Sequence, residues 1–174
     1  MTELEDFRQA KDEFFRDEPD SPLTASQRSS FTGLAYYDEN PALALELEPR
    51  PFDEREMITM QTSTGDEATY ERWGRIEFEV GGEAAALTLF RESHTDHFFL
   101  PFQDANAGGE TYGAGRYLEV EPAGDGKLWV DFNYAYNPYC AYNEHWSCPI
   151  PPAENRLKVA IRAGERSFPG AVEH

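Results

Sequence analysis

Two stretches of the chain hold residues that strand building does not require. Residues 100–121, LPFQDANAGGETYGAGRYLEVE, set Asp104, Glu110, Tyr112 and Arg116 among closely spaced glycines. Residues 130–157, VDFNYAYNPYCAYNEHWSCPIPPAENRL, crowd Asp131, Asn133, Tyr134 and Asn137 into one loop with prolines, further aromatics and both cysteines. A loop of that length is usually functional or elaborately pinned. An arginine fork suits a carboxylate or phosphate. A carboxyl whose pKa is raised by burial can act as general base, and tyrosines offer both rings and hydroxyl donors. The eight side chains therefore form a candidate site. Asp104, Tyr112 and Asp131 are its catalytic candidates, and Glu110, Arg116, Asn133, Tyr134 and Asn137 its ligand-binding candidates. The same residue types have a plainer use, because buried Arg, Asp, Asn and Tyr often only satisfy loop backbone.

Cys140, His145 and Cys148 stand at C-x4-H-x2-C spacing, with His94 or His97 as a conceivable fourth donor to zinc. The C-x2-C knuckle of ordinary structural zinc sites is missing. Buried free thiols, a Cys140–Cys148 disulfide and a bound metal all stay open, and the site assignment contains no metal. The glycines at 108, 109, 113 and 115 match neither a phosphate loop nor a dinucleotide fingerprint, and no G-x-S-x-G occurs. The sequence implies no particular cofactor.

The elements that would position these groups are mostly strands. Residues 3–18 read as a short helix with Leu4, Phe7, Lys11, Phe14 and Phe15 near one face and Pro19 as its stop. DSPLTASQRSS reads as a linker-like turn region, with Leu23 as its candidate anchor. From Phe31 the pattern becomes FTGLAYYD, ALALELEP, EMITMQTS, ATYERWG, GRIEFEV, AAALTLFRES, HFFLPFQD, GRYLEVEP, KLWVDFN and LKVAIRA. In GRIEFEV, Ile76, Phe78 and Val80 alternate with Glu77 and Glu79, and Gly81-Gly82 signals a tight hairpin. The expected fold is all-β: an antiparallel barrel or sandwich of about ten short strands after a short N-terminal helix. Residues 1–30 would be helix and linker, and residues 31–174 a single β domain.

The run from Phe98 to Glu165 resembles the family called domain of unknown function 1684. FFLPFQDANAGGETYGAGRYLEVE, DFNYAYNPYCAYN, CPIPPAENRLKVAI and RAGER carry the resemblance, with SPL at Ser21–Leu23 and FTGLAYY at Phe31–Tyr37. The resemblance covers most of the chain and implies no activity. From the residues alone, the first expectation is a β domain binding a small polar or anionic ligand between the 104–117 and 131–149 loops. A hydrolase or isomerase using that pocket is the second expectation. A structural or interaction domain with a fold-pinning loop is the third.

The net charge of −18 repels phosphate backbones and anionic lipid, which argues against nucleic acid and membrane as partners. The first 30 residues lack a signal-peptide pattern, and no apolar run approaches the roughly 20 residues of a membrane span, so the expected location is cytoplasmic. Three lysines stand against twelve arginines, a carboxylate-rich and lysine-poor balance typical of proteins from salt-loving organisms. Salt screens such self-repulsion, with a Debye length of about 3 Å at 1 M. Melting followed by circular dichroism should therefore show a midpoint that climbs steeply from low to molar potassium chloride. A midpoint indifferent to salt would refute the halophilic reading.

Overall fold

Alternation and turn chemistry build a hairpin at the centre of the chain. In the computed structural model, which describes residues 2–92, 97–143 and 146–169, Glu67–Val80 forms β3 and Glu83–Arg91 forms β4. They are joined through Gly81 and Gly82, whose φ values of +58° and +87° suit the twist of a two-residue hairpin turn. β1 (Ala44–Leu47) and β2 (Arg50–Gln61) precede this hairpin, and β5 (Phe98–Phe102), β6 (Arg116–Gly124) and β7 (Lys127–Asp131) follow it. The seven strands make one antiparallel sheet in the order β1-β7-β6-β5-β4-β3-β2. The sheet curls until β1 approaches β3, yet both end strands remain edges. It is thus a curled half-barrel of seven described strands, in place of the expected barrel or sandwich of about ten.

Three expected strands account for the difference. ATYERWG and GRIEFEV are a single strand, because Gly74 carries a register shift between Arg72 and Gly74 that bends β3 without ending it. A Cβ at Gly74 would lie 2.9 Å from the Arg50 carbonyl oxygen, so only glycine lets β2 approach there. FTGLAYYD and LKVAIRA form no strand; the former pairs through the bridge Tyr36↔Glu165 and its flanking backbone hydrogen bonds with residues 164–166, just beyond the latter. Side chains and loop backbone take the hydrogen bonds that a ladder would use for residues 157–165 (described below). The segment read as linker contains a five-residue helix, α2 (Ala25–Ser29), capped by Thr24 and Gln27.

The concave side of the sheet holds the main core, with Ile76, Leu87, Leu89, Leu100, Leu118 and Val130 packed against Phe102, Phe132 and Ile161. The helix α1 (Glu3–Asp17) begins at a Thr2–Glu5 capping box and is anchored by Leu4 and Phe15, both buried. Phe15 packs edge-on to Tyr142, 5.0 Å between ring centroids, which ties α1 to the 138–143 loop. Among the described residues no helix is long and apolar enough to cross a membrane.

Gly164 closes the C-terminal segment onto this core. Its φ is +79°, and a Cβ there would lie 2.7 Å from the Ala135 carbonyl oxygen and 2.8 Å from that of Phe132. Gly124 has a comparable φ of +93° but open space around it. Left-handed backbone costs a side chain about 1–2 kcal/mol. In urea titrations Gly164→Ala should lose more stability than Gly124→Ala, because it adds a backbone clash to that strain. Equal losses would mean that the close approach at Gly164 is not tight.

Candidate functional site

Arg116 is the first residue of β6, and it points inward with Leu118 and Val120 into the core. It is only 1 % exposed. Its Nη1 donates to the carbonyls of Ala163 (2.5 Å) and Glu165 (3.0 Å), and its Nη2 to that of Ile161 (2.9 Å). The Asp104 carboxylate lies 3.5 Å from Nη2 and also accepts the Ile161 N–H (2.8 Å) and the Thr111 hydroxyl (2.9 Å). Burial pulls the Arg116 pKa down, and Asp104 opposes that effect. The Phe102 ring lies beside the guanidinium, 5.1 Å from its centroid. Arg116 and Asp104, expected at a ligand pocket, thus clamp the irregular 161–165 segment and are buried.

The other six candidates fall elsewhere. Glu110 is at the surface, where it accepts from Tyr37 and Asn106 (both 3.1 Å) near Arg166. Tyr112 belongs to an aromatic cluster with Phe99 and Tyr117, its hydroxyl 3.6 Å from Cys140 Sγ. Asn137 donates through its backbone to Glu165 (2.6 Å) and through its amide to the Arg166 carbonyl (3.0 Å). Asp131, Asn133 and Tyr134 do gather, at the end of β7. Asp131 accepts both the backbone N–H and the amide of Asn133, and Asn133 in turn pairs with the backbone of Asn40. The eight side chains therefore do not share one pocket, and the proposed acid Tyr112 is not beside either proposed base.

Glu165, which the sequence reading passed over, organises a second buried polar group. It is 2 % exposed and accepts from the Tyr142 hydroxyl (2.7 Å) and the Asn137 N–H. The Lys11 ammonium lies 2.6 Å from its other oxygen as an ion pair. A lone acid inside RAGER gives no local signal of this.

Cys140 and Cys148 are buried and not joined by a disulfide, with the Cys140 N–H donating to Cys148 Sγ (3.4 Å). Contact with Cys140, together with burial, pushes the Cys148 thiol well up. Among the described residues no group of three or more potential ligands could hold a metal. His94 and His145 lie outside the described residues, and His97 pairs with Glu119.

Asp131 and Tyr134 open onto a cleft of about 590 Å³ on the outward face of β6 and β7. Inward Leu128 and Val130 place Trp129 outward on β7, opposite Glu121 of β6. Phe7 of α1 leans over from above and packs edge-on to Tyr134, 5.0 Å between centroids. Four aromatic residues, Phe7, Trp129, Tyr134 and Tyr136, line the cleft together with four carboxylates, Glu3, Glu119, Glu121 and Asp131. None of the described residues lining it is basic. Four large apolar side chains are exposed among the described residues, and two of them meet here: Trp129 at 48 % and Phe7 at 42 %. The Tyr136 hydroxyl donates to Glu119, and burial, reinforced by Glu119, pushes its pKa up. A second depression, of about 540 Å³ over Ala84–Ala86, mixes Arg75 with acidic residues and offers one ring, Phe78. An outward tryptophan between two inward aliphatics is the signal in KLWVD that would have located the cleft from sequence.

A family model described as "Protein of unknown function (DUF1684)" matches residues 29–166. The chain is similar to the solution NMR structure of the uncharacterized protein from gene locus rrnAC0354 of Haloarcula marismortui. The two are 35 % identical with a TM-score of 0.72, over 94 % of this chain and 91 % of that one. No curated protein matches.

Removing one partner of a buried ion pair costs about 3–5 kcal/mol. Arg116→Ala should therefore lower the urea midpoint severely, by loosening residues 161–165. A variant as stable as the parent would show that the clamp does not hold the fold.

Proposed function

The chain belongs to the DUF1684 family of proteins of unknown function, and we propose that this member is a binding domain whose cleft over β6 and β7 takes small organic cations. One observation carries the reading: four aromatics and four carboxylates surround about 590 Å³ of space, with no basic residue among the described residues that line it. Carboxylates attract any cation, and the rings select organic ones. A cation over an aromatic face gains about 0.5–1 kcal/mol when exposed and about 2 kcal/mol when desolvated. The protein already makes such contacts, with Lys11 5.1 Å from the Tyr136 centroid and Arg8 4.4 Å from that of Tyr36. The overall charge of −18 draws cations toward every face of the molecule. Anionic ligands, nucleic acid and membrane surfaces do not fit this reading, because the arginine expected to hold an anion is enclosed by backbone carbonyls.

A cytoplasmic location goes with this function, and two adjacent unbridged thiols suit a reducing compartment. High salt is its natural setting. The lysine-poor acidic composition supports this, as does the similarity to a structure from a halophile. There, potassium screens the carboxylates, so ring contacts decide which cations stay bound.

Amide NMR titration with tetramethylammonium in molar potassium chloride tests the proposal. Saturable shifts should appear at Trp129, Glu121 and Tyr134 and be absent with acetate. Trp129→Ala should weaken binding several-fold, as loss of about 1–2 kcal/mol implies. Trp146→Ala, remote from the cleft, should leave it unchanged. Acetate shifts at the cleft, or no saturation with the cation, would overturn the reading.

A further inference from the structure

The carboxylates of the cleft do not converge on one point. Glu119 and Glu121 are two residues apart on the same face of β6, an interval of about 6.5–7 Å. Glu121 stands opposite Trp129 in the β6–β7 register. The β6–β7 pairing ends there, and Asp131, two residues beyond Trp129, lines the same cleft as Glu119. Like charges that share one cleft repel each other. Asp131 is nonetheless held there by two donors from Asn133. Glu119 is held by the Tyr136 hydroxyl, and its other oxygen faces His97. On α1, Glu3 and Phe7 are four residues apart, hence on one face and about a turn from each other. Negative charge is thus distributed along the cleft, with aromatic surface between the charges.

A compact cation with one charge would meet one end of this arrangement and leave the other carboxylates uncompensated. A chain with several charges meets all of it. The spacing of about 6.5–7 Å along β6 is close to the reach of about four methylenes between two ammonium groups. The methylenes would cross the exposed face of Trp129, where apolar burial stabilises by about 25 cal/mol per Å². The ammonium groups would sit at the Glu119–Asp131 pair and at Glu121, while Glu3 and Phe7 cover the chain from above.

Resting on the organic-cation reading of the same cleft, we infer that its ligand class is the linear aliphatic polyamines, bound lengthwise along β6 with a methylene segment on Trp129.

The experiment compares butane-1,4-diamine, butylamine and tetramethylammonium by amide NMR titration of the full chain in molar potassium chloride. The diamine should bind at least tenfold tighter than butylamine, and both should shift Trp129. Glu121→Gln alters an exposed side chain, and an otherwise unchanged spectrum will show that the fold is intact. It should remove the diamine's advantage over butylamine. Equal affinities for diamine and monoamine would overturn the polyamine assignment and leave the organic-cation cleft standing. A diamine advantage that survives Glu121→Gln would overturn the lengthwise placement on β6. Failure of all three cations to shift Trp129 would overturn the cleft itself, and the polyamine assignment with it.

Discussion

The buried guanidinium of Arg116 is the constraint on which the C-terminal third of the molecule depends. Residues 161–165 bend at Gly164 and belong to no strand, so their carbonyls have no ladder to satisfy them. Three of those carbonyls receive Arg116, and Asp104 both balances the charge and accepts the Ile161 N–H. A cation in the core is tolerable only when it is paired and hydrogen-bonded. Gly115, ahead of the arginine, allows its entry, since a Cβ there would lie 2.5 Å from the Phe102 carbonyl oxygen. One polar side chain thereby does for this segment what backbone pairing does for the other elements.

Glu165 extends the same logic to the amino terminus. Its backbone carbonyl is held by Arg116, and its carboxylate pairs with Lys11 of α1 and accepts from Tyr142. The helix therefore attaches through a charged contact beside the Phe15–Tyr142 ring pair. Because Glu3 and Phe7 lie on that helix, the roof of the cleft is positioned by a residue at the far end of the chain. The buried polar groups and the outward cleft divide the labour, the former fixing the geometry that the latter displays.

The strands were legible wherever alternation was clean, as in GRIEFEV, GRYLEVEP and KLWVD, because period two is a local property. FTGLAYYD and LKVAIRA misled for a physical reason: extended backbone has the same composition whether strands or side chains satisfy it. α2 was hidden in a polar segment, although the Thr24–Gln27 box marks it in retrospect. The candidate site was legible only in part. Asp131, Asn133 and Tyr134 gather because they follow one another at the end of β7. The placement of Glu3 and Glu121 along one cleft, by contrast, is set by helix docking that no local pattern encodes. Arg116 and Asp104 were rightly read as unusual, but residue type cannot distinguish an arginine that holds a ligand from one that holds its own chain.

The half-barrel leaves two strands with an unpaired side, and their construction bears on how the protein behaves when concentrated. β1 has only four residues. β2 is long, but Asp53, Glu54, Arg55 and Glu56 occupy its middle, where its register slips between Pro51 and Glu56. Its far end is covered by the loop, with the Ile150 N–H donating to the Gln61 carbonyl at 2.8 Å. Short, charged, kinked or covered edges are the devices by which open sheets resist template-driven aggregation. An incomplete barrel can therefore stay dispersed at high protein concentration without closing on itself.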